Sequence, residues 1–136
     1  LEADMSQKLS MRLKGALYNY SSDIEPSVWN LPDFEASLFL EYQLSEKLML
    51  AGSVFYLGSR QDTINMEDVF FSEFITSEVK LDAFIDANVQ LDYDITNQFS
   101  AFVKVNNIAN KSYNRLSNYP VQGLQILGGA TYKFDF

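Results

Sequence analysis

From residue 79 to residue 95 the chain alternates almost without a break. The odd positions Val79, Leu81, Ala83, Ile85, Ala87, Val89, Leu91, Tyr93 and Ile95 are all apolar or aromatic. Of the even positions Lys80, Asp82, Phe84, Asp86, Asn88, Gln90, Asp92 and Asp94, only Phe84 is not polar. A helix would spread the carboxylates round its circumference, whereas a strand gathers them on one face. The spacing therefore predicts a strand over Val79–Ile95, ~55 Å long at ~3.3 Å per residue. Strands of soluble proteins usually stop at about ten residues.

The same period recurs along the chain. In Phe34–Leu44 the apolar residues are Phe34, Ala36, Leu38, Leu40, Tyr42 and Leu44, opposed by Glu35, Ser37, Glu41 and Gln43, with Phe39 an exception. In Leu9–Leu17, Leu9, Met11, Leu13 and Leu17 alternate with Ser10, Arg12 and Lys14, although Leu9, Leu13, Ala16 and Leu17 also fit a helical stripe. Phe99, Ala101, Val103 and Val105 alternate with Ser100, Lys104 and Asn106. Leu124–Phe136 alternates in the same way, and Leu48–Leu57 reads as a strand apolar on both faces. Six strands are expected, with Leu9–Leu17 and Leu124–Phe136 at the two edges. Met66–Ser77 has room for a short helix within a loop.

The connections differ by end. Ser45-Glu46-Lys47 and Thr96-Asn97-Gln98 are tight polar turns, while Ser21–Asp33, Ser59–Glu78 and Asn107–Gly123 are long and polar. Short turns at one end and long loops at the other are the habit of outer-membrane β-barrels. The expected fold is all-β: an antiparallel up-and-down transmembrane barrel segment. Long loops would be extracellular and both termini periplasmic. Tyr42 and Tyr93 near the short turns, and Phe34 and Tyr56 near the long loops, suit the two interfacial girdles. The lumen-facing set would be Arg12, Lys14, Glu35, Glu41, Asp82, Asp86, Asp92, Asp94 and Lys104. Antiparallel pairing should bring Glu41 opposite or diagonal to Arg12 or Lys14.

Composition narrows the chemistry. The 136 residues carry 10 Lys+Arg against 18 Asp+Glu, a formal charge of −8, which argues against a nucleic-acid partner. With no Cys and no His, disulfides, thiolate or imidazole metal sites and His-dependent catalysis are excluded. No catalytic, cofactor or metal site is expected. No apolar run of helix-spanning length exists, and no signal peptide is visible. A chain starting at Leu1 is expected to be a processed or excised piece.

The stretch from Tyr93 to Phe136 resembles the carboxyl end of a TonB-dependent outer-membrane receptor. Val103-Lys104-Val105-Asn106-Asn107-Ile108-Ala109-Asn110-Lys111-Ser112-Tyr113 is similar to the family's strand followed by N-L-x-[ND]-K-x-Y. Tyr119-Pro120-Val121-Gln122-Gly123-Leu124 is similar to Y-P-x-P-G-R, with Gln122 in place of the second Pro and Leu124 in place of Arg. The chain closes with Gly128-Gly129-Ala130-Thr131-Tyr132-Lys133-Phe134-Asp135-Phe136. The resemblance implies a barrel of about 22 strands with an amino-terminal plug, importing a siderophore, cobalamin or glycan with energy from the TonB complex. Residues 1–136 would then be a partial barrel without its plug, since about eight strands are needed to close. Its partners would be outer-membrane lipid, the remaining barrel and plug, the TonB complex through that plug, and the barrel-assembly machinery. Gly129, Tyr132, Phe134 and Phe136 resemble the terminal signal read by that machinery.

Rival readings stay open on the residues alone. The ladder Asp82, Asp86, Asp92 and Asp94 fits a ligand pathway or simply a hydrated wall. Phe70, Phe71 and Phe74 fit a ligand-entrance loop or ordinary loop packing. A passive porin, a small structural barrel, or a soluble barrel with an apolar ligand inside would show the same alternation, which does not distinguish inside from outside.

Overall fold

The structure, a computed structural model, describes residues 1–21, 29–68 and 73–134, with the backbone alone for residues 4–5, 65–68 and 73–75. Among the described residues every regular element is a strand. In chain order these are β1 (Glu2–Ser6), β2 (Leu9–Leu17), β3 (Phe34–Ser45), β4 (Leu48–Leu57), β5 (Arg60–Asp68), β6 (Glu73–Leu81), β7 (Phe84–Asp94), β8 (Phe99–Asn106), β9 (Asn114–Leu116), β10 (Tyr119–Pro120) and β11 (Gln125–Tyr132). Seven of them form one antiparallel sheet in the order β1-β2-β3-β4-β7-β8-β11, and β5/β6 and β9/β10 are separate hairpins inserted in the long connections.

Four expectations are corrected. The strand over Val79–Ile95 is two strands: Val79–Leu81 close β6, Asp82 and Ala83 make a step, and β7 begins at Phe84. Where a long polar loop with room for a short helix was expected, the described residues of Ser59–Glu78 are chiefly two strands, β5 and β6, which pair from Arg60↔Leu81 to Asp68↔Glu73. The edge beside β2 is occupied, because β1 pairs with it through Glu2↔Arg12 and Ala3↔Met11. The first residue therefore does not lie at the short-turn end. Leu1 sits level with Leu13 partway up β2, where the two exchange backbone bonds of 2.7 and 2.8 Å.

The pairing sorts the side chains into two faces. One row across the sheet runs Met11, Leu40, Gly52, Val89, Val105 and Ile126, and a second runs Leu9, Tyr42, Leu50, Leu91, Val103 and Gly128. The row between them on the other face runs Ser10, Glu41, Ala51, Gln90, Lys104 and Leu127. Register is thus fixed by keeping one face apolar, since a slip of one residue would invert every strand.

The short turns share a device. Ser6 Oγ accepts from Lys8 N and Leu9 N, Ser45 Oγ accepts from Lys47 N, and Thr96 Oγ1 accepts from Gln98 N and Phe99 N. Each hydroxyl accepts backbone amides at the turn and so fixes its geometry. Register shifts at Asp4/Ser6 and Gln43/Ser45 lie beside two of these turns, where bulges let a sheet rim bend.

The sheet is a single layer with no core of its own. Among the described residues Leu81, 6% exposed, is the buried apolar side chain, at the base of the β5/β6 hairpin. The accessible surface is 10401 Å² for a 15.5 kDa chain. A compact monomer of that mass would expose roughly 7,200 Å². Leu13, Leu40, Val54, Ile85, Leu91, Val103 and Ile126 are all exposed on the one face. An apolar face of this extent needs a cover.

Aromatic side chains mark both margins of that face. Tyr42, Tyr93 and Tyr132 stand toward the short turns. Phe34 and Tyr56 stand toward the long connections with ring centroids 5.6 Å apart. From Phe34 to Tyr42 is ~27 Å along the strand, or roughly 21 Å of height at ~40° tilt, close to the ~25 Å apolar band of an outer-membrane barrel.

Candidate functional site

The polar face and the long-loop end hold the chemistry. Arg12, Lys14, Glu35, Glu41, Asp86, Asp92, Asp94 and Lys104 all share the polar face of the seven-stranded sheet. Asp82 does not; it lies exposed in the step between β6 and β7. The ladder is therefore Asp86, Asp92 and Asp94. Arg12, Lys14 and Lys104 are thus all sorted away from the apolar face.

These groups do not form one cluster. Asp92 takes both bonds from Gln90 Nε2, at 2.9 and 3.0 Å. Asp94 lies opposite Ser100 near the short turns, and Asp86 lies at the other end, opposite Phe55. Glu41 is opposite Ser10 and one step diagonal from Arg12, as expected. The ion-pair partner of Arg12, however, is Glu2 of β1 at 2.7 Å. With both side chains largely in solvent this pair adds little stability. Glu35 accepts a 2.7 Å bond from the Tyr18 hydroxyl.

The aromatic exceptions on the polar face are each packed. Phe39 meets Phe55 edge-on at 5.2 Å. The Phe102 ring lies over Gly129, where an added Cβ would come within 2.6 Å of it. Phe84 stacks on Tyr113 at 3.8 Å, with the Arg60 guanidinium carbon 5.6 Å from the Phe84 ring centre. A glycine covered by a cross-strand ring loses its entropic liability by lending its space to the aromatic.

Arg60 is the hub of the long-loop end. It is 3% exposed. Its Nε donates to Asn30 Oδ1 at 3.0 Å, Nη1 to Gly58 O at 3.3 Å, and Nη2 to Asn114 O and Arg115 O at 2.8 and 3.1 Å. Burial pulls this guanidinium below the usual arginine value, while nearby Asp62 opposes the shift. Asp62 accepts the Ser117 amide at 2.7 Å, and that bond holds its carboxyl below the ordinary aspartate value.

The segment after β8 is shaped by asparagines. Asn107 and Asn110 both have φ of 48°, a left-handed conformation that Asn tolerates better than most residues. Asn107 is 3% exposed. Its Nδ2 donates to Lys111 O and Gln122 O, its Oδ1 accepts from Lys111 N, and its own amide donates to Asn88 Oδ1. Asn110 Oδ1 accepts the Leu124 amide at 2.9 Å and leaves no room for a Cβ at Gly123. The motif residues Asn107, Asn110, Tyr113 and Gly123 thus build the connection between β8 and β11.

Between this platform and the sheet lies an open groove of about 820 Å³. Lys14, Glu35, Phe55, Arg60, Phe84 and Arg115 are on its walls. Lys14 and Glu35 were expected on the lumen face, Asn107 and Tyr113 entered only as part of the resemblance motif, and Arg60 and Asp62 were in no expected set. The Asn-x-x-Asn-Lys-x-Tyr spacing was a signal for two of these, but nothing local marks Arg60 as buried. Phe70 and Phe71 lie outside the described residues. Phe74, in β6, is placed only by its backbone, opposite Glu67 of β5. At the carboxyl end, Gly129 and Tyr132 belong to β11, Phe134 meets Tyr132 edge-on at 4.8 Å, and Phe136 is outside the described residues.

Solved structures share this architecture. The ferripyoverdine receptor of the outer membrane of Pseudomonas aeruginosa, bound to ferripyoverdine, superposes over 98% of the chain with a TM-score of 0.80 and 15% identity. The ferric enterobactin receptor of the same organism does so over 98% with a TM-score of 0.76 and 15% identity. The ferric-catecholate import receptor of Escherichia coli K12 covers 98% with a TM-score of 0.73 and 16% identity. The chain covers 18%, 21% and 20% of these three receptors, about a fifth of each. No family model and no curated protein matches the sequence. The chain has the fold of a barrel segment of a TonB-dependent outer-membrane receptor.

Proposed function

We propose that this chain is the carboxyl-terminal wall of an outer-membrane uptake receptor that imports a scarce ligand with energy from the TonB complex. The single carrying observation is the one-layer sheet whose apolar face continues from β2 to β11 while the charges that β2, β3, β7 and β8 bring to it, Arg12, Lys14, Glu35, Glu41, Asp86, Asp92, Asp94 and Lys104, stand on the other. Lipid covers the apolar face, and the polar face is the lumen wall against which a plug would sit. The remaining barrel takes up the edges at β1 and β11, because unpaired backbone groups in lipid cost several kcal/mol each. Within this reading the long connections are extracellular, the short turns are periplasmic, and β11 with Gly129, Tyr132, Phe134 and Phe136 is read by the barrel-assembly machinery. The ferric-siderophore receptors among the structural neighbours favour a ferric chelate within the ligand classes considered.

The test uses the full-length protein in a Gram-negative host. Single cysteines at Asn118 and Glu46 are probed on intact cells with a membrane-impermeant maleimide. Labelling at 118, with 46 reacting only after the membrane is broken, is expected; the reverse would overturn the orientation. Uptake of labelled ferric chelate should require TonB. Uptake that persists without TonB would replace the receptor reading with a passive porin.

A further inference from the structure

Three connections separated by long stretches of sequence meet on one side chain. Asn30 comes from the β2–β3 connection, Gly58 and Arg60 from the entry to the β5/β6 hairpin, and Asn114 and Arg115 from β9. All are bonded to or part of the Arg60 guanidinium fork. Two further ties run in parallel. The Asn30 amide donates to Gln61 O at 2.6 Å, and Asp62 holds the Ser117 amide at 2.7 Å. Phe84, at the head of β7, is held between Arg60 and Tyr113.

We infer that Arg60 is a clasp that makes the three long connections one mechanical unit, so that loosening any one of them loosens the other two. The physical reason is the fork itself. Guanidinium presents donors in fixed directions, and here they go to acceptors on separate segments. Removing one segment leaves a buried cation short of an acceptor, so the remaining contacts must rearrange to solvate it. Two connections joined only by sheet contacts would have no such dependence. The clasp also forms one wall of the groove. A ligand touching Lys14 or Arg115 would then be felt at Asn30 and Ser117 whatever its chemistry. The clasp does not rest on the uptake reading.

The test is hydrogen exchange on the full-length protein in lipid nanodiscs. Arg60→Ala should speed exchange at Ser117, although Asp62 is intact, and at Asn30, by about 10–100-fold, the scale of one hydrogen bond to a charged group. Arg60→Lys should do the same to a smaller degree, because one ammonium cannot span the acceptors. The converse substitutions decide the matter even if Arg60→Ala fails to assemble. Asn30→Ala should speed exchange at Ser117, and Asp62→Ala should speed exchange at the Asn30 amide, since coupling is reciprocal. If each substitution changes only the amides it touches, the three connections are independent and the clasp is wrong.

Discussion

The Tyr113 hydroxyl donates a 2.9 Å hydrogen bond to Asp86 Oδ2, tying the connection after β8 to a carboxylate on the polar face of β7. The second oxygen, Asp86 Oδ1, is buried and has no hydrogen-bond partner among the described residues. Asp86 therefore depends on this phenol. Tyr113→Phe keeps the stack on Phe84 but removes the donor. It should destabilise the long-loop end by about 1.5–3 kcal/mol, the scale of one hydrogen bond to a charged group. Urea unfolding followed by a probe in the β8–β11 connection reads the loss. An unchanged midpoint would mean that water replaces the phenol without cost.

The same contact sets a pH dependence. Burial, reinforced by the bond to Asp86, pushes the Tyr113 phenol up to about 12 from an ordinary value of 10.0. A raised folded-state value means the folded protein holds the proton more tightly. The stabilisation is thus complete below pH 10 and is lost as the pH rises toward 12. In an alkaline titration followed by phenolate absorbance, the difference between the wild-type and Tyr113→Phe proteins should be one phenol ionising at about 12, while Tyr18 and Tyr20, which are also raised, contribute equally to both.

Asn107 combines a left-handed backbone with three side-chain hydrogen bonds. Asn107→Ala loses both features and should cost about 2–3 kcal/mol. Asn107→Gly keeps the backbone and loses only the bonds, so it should be milder by about 1 kcal/mol. Equal losses in chemical unfolding would show that the backbone conformation contributes nothing.

Two glycines in the sheet should respond in opposite directions. At Gly129 a Cβ would meet the Phe102 ring at 2.6 Å, so Gly129→Ala should cost about 1–2 kcal/mol as the ring is driven off its seat. At Gly15 the nearest atom is Glu35 O at 3.8 Å, and Gly15→Ala should be neutral or stabilising by up to about 1 kcal/mol. Urea midpoints of the two variants in one lipid make the comparison.

Much of this sheet can be read from alternation, because a face that must be apolar leaves a period of two. β2, β3, β8 and most of β11 fall where that period places them, and β4 falls where a run apolar on both faces was read as a strand. The break at Asp82–Ala83 could not be seen, since a step of two residues preserves the phase of the alternation. β5 and β6 stand apart from the seven-stranded sheet, and no apolar stripe marks a hairpin such as Gln61, Asp62, Thr63 opposite Glu78, Val79, Lys80. β1 is too short to carry a pattern. For the candidate site the limit is different. Lys14, Glu35 and Asp86 follow from strand parity. Arg60 is buried by segments tens of residues away in the chain, and no local period encodes such a meeting.

The central claim is that one face of this sheet meets lipid and the other meets water. Ile85 and Asp86 are neighbours on β7 with opposite directions; Ile85 is 51% exposed on the apolar face, and Asp86 is half-buried beneath Tyr113. Spin labels placed singly at 85 and 86 in the full-length protein, reconstituted in bilayers, report access to oxygen, which concentrates in lipid, and to a polar relaxant, which stays in water. Residue 85 should be the more accessible to oxygen and residue 86 to the polar relaxant. Greater oxygen access at 86 than at 85 would contradict the assignment of the two faces and, with it, the reading of this chain as a wall of a membrane barrel.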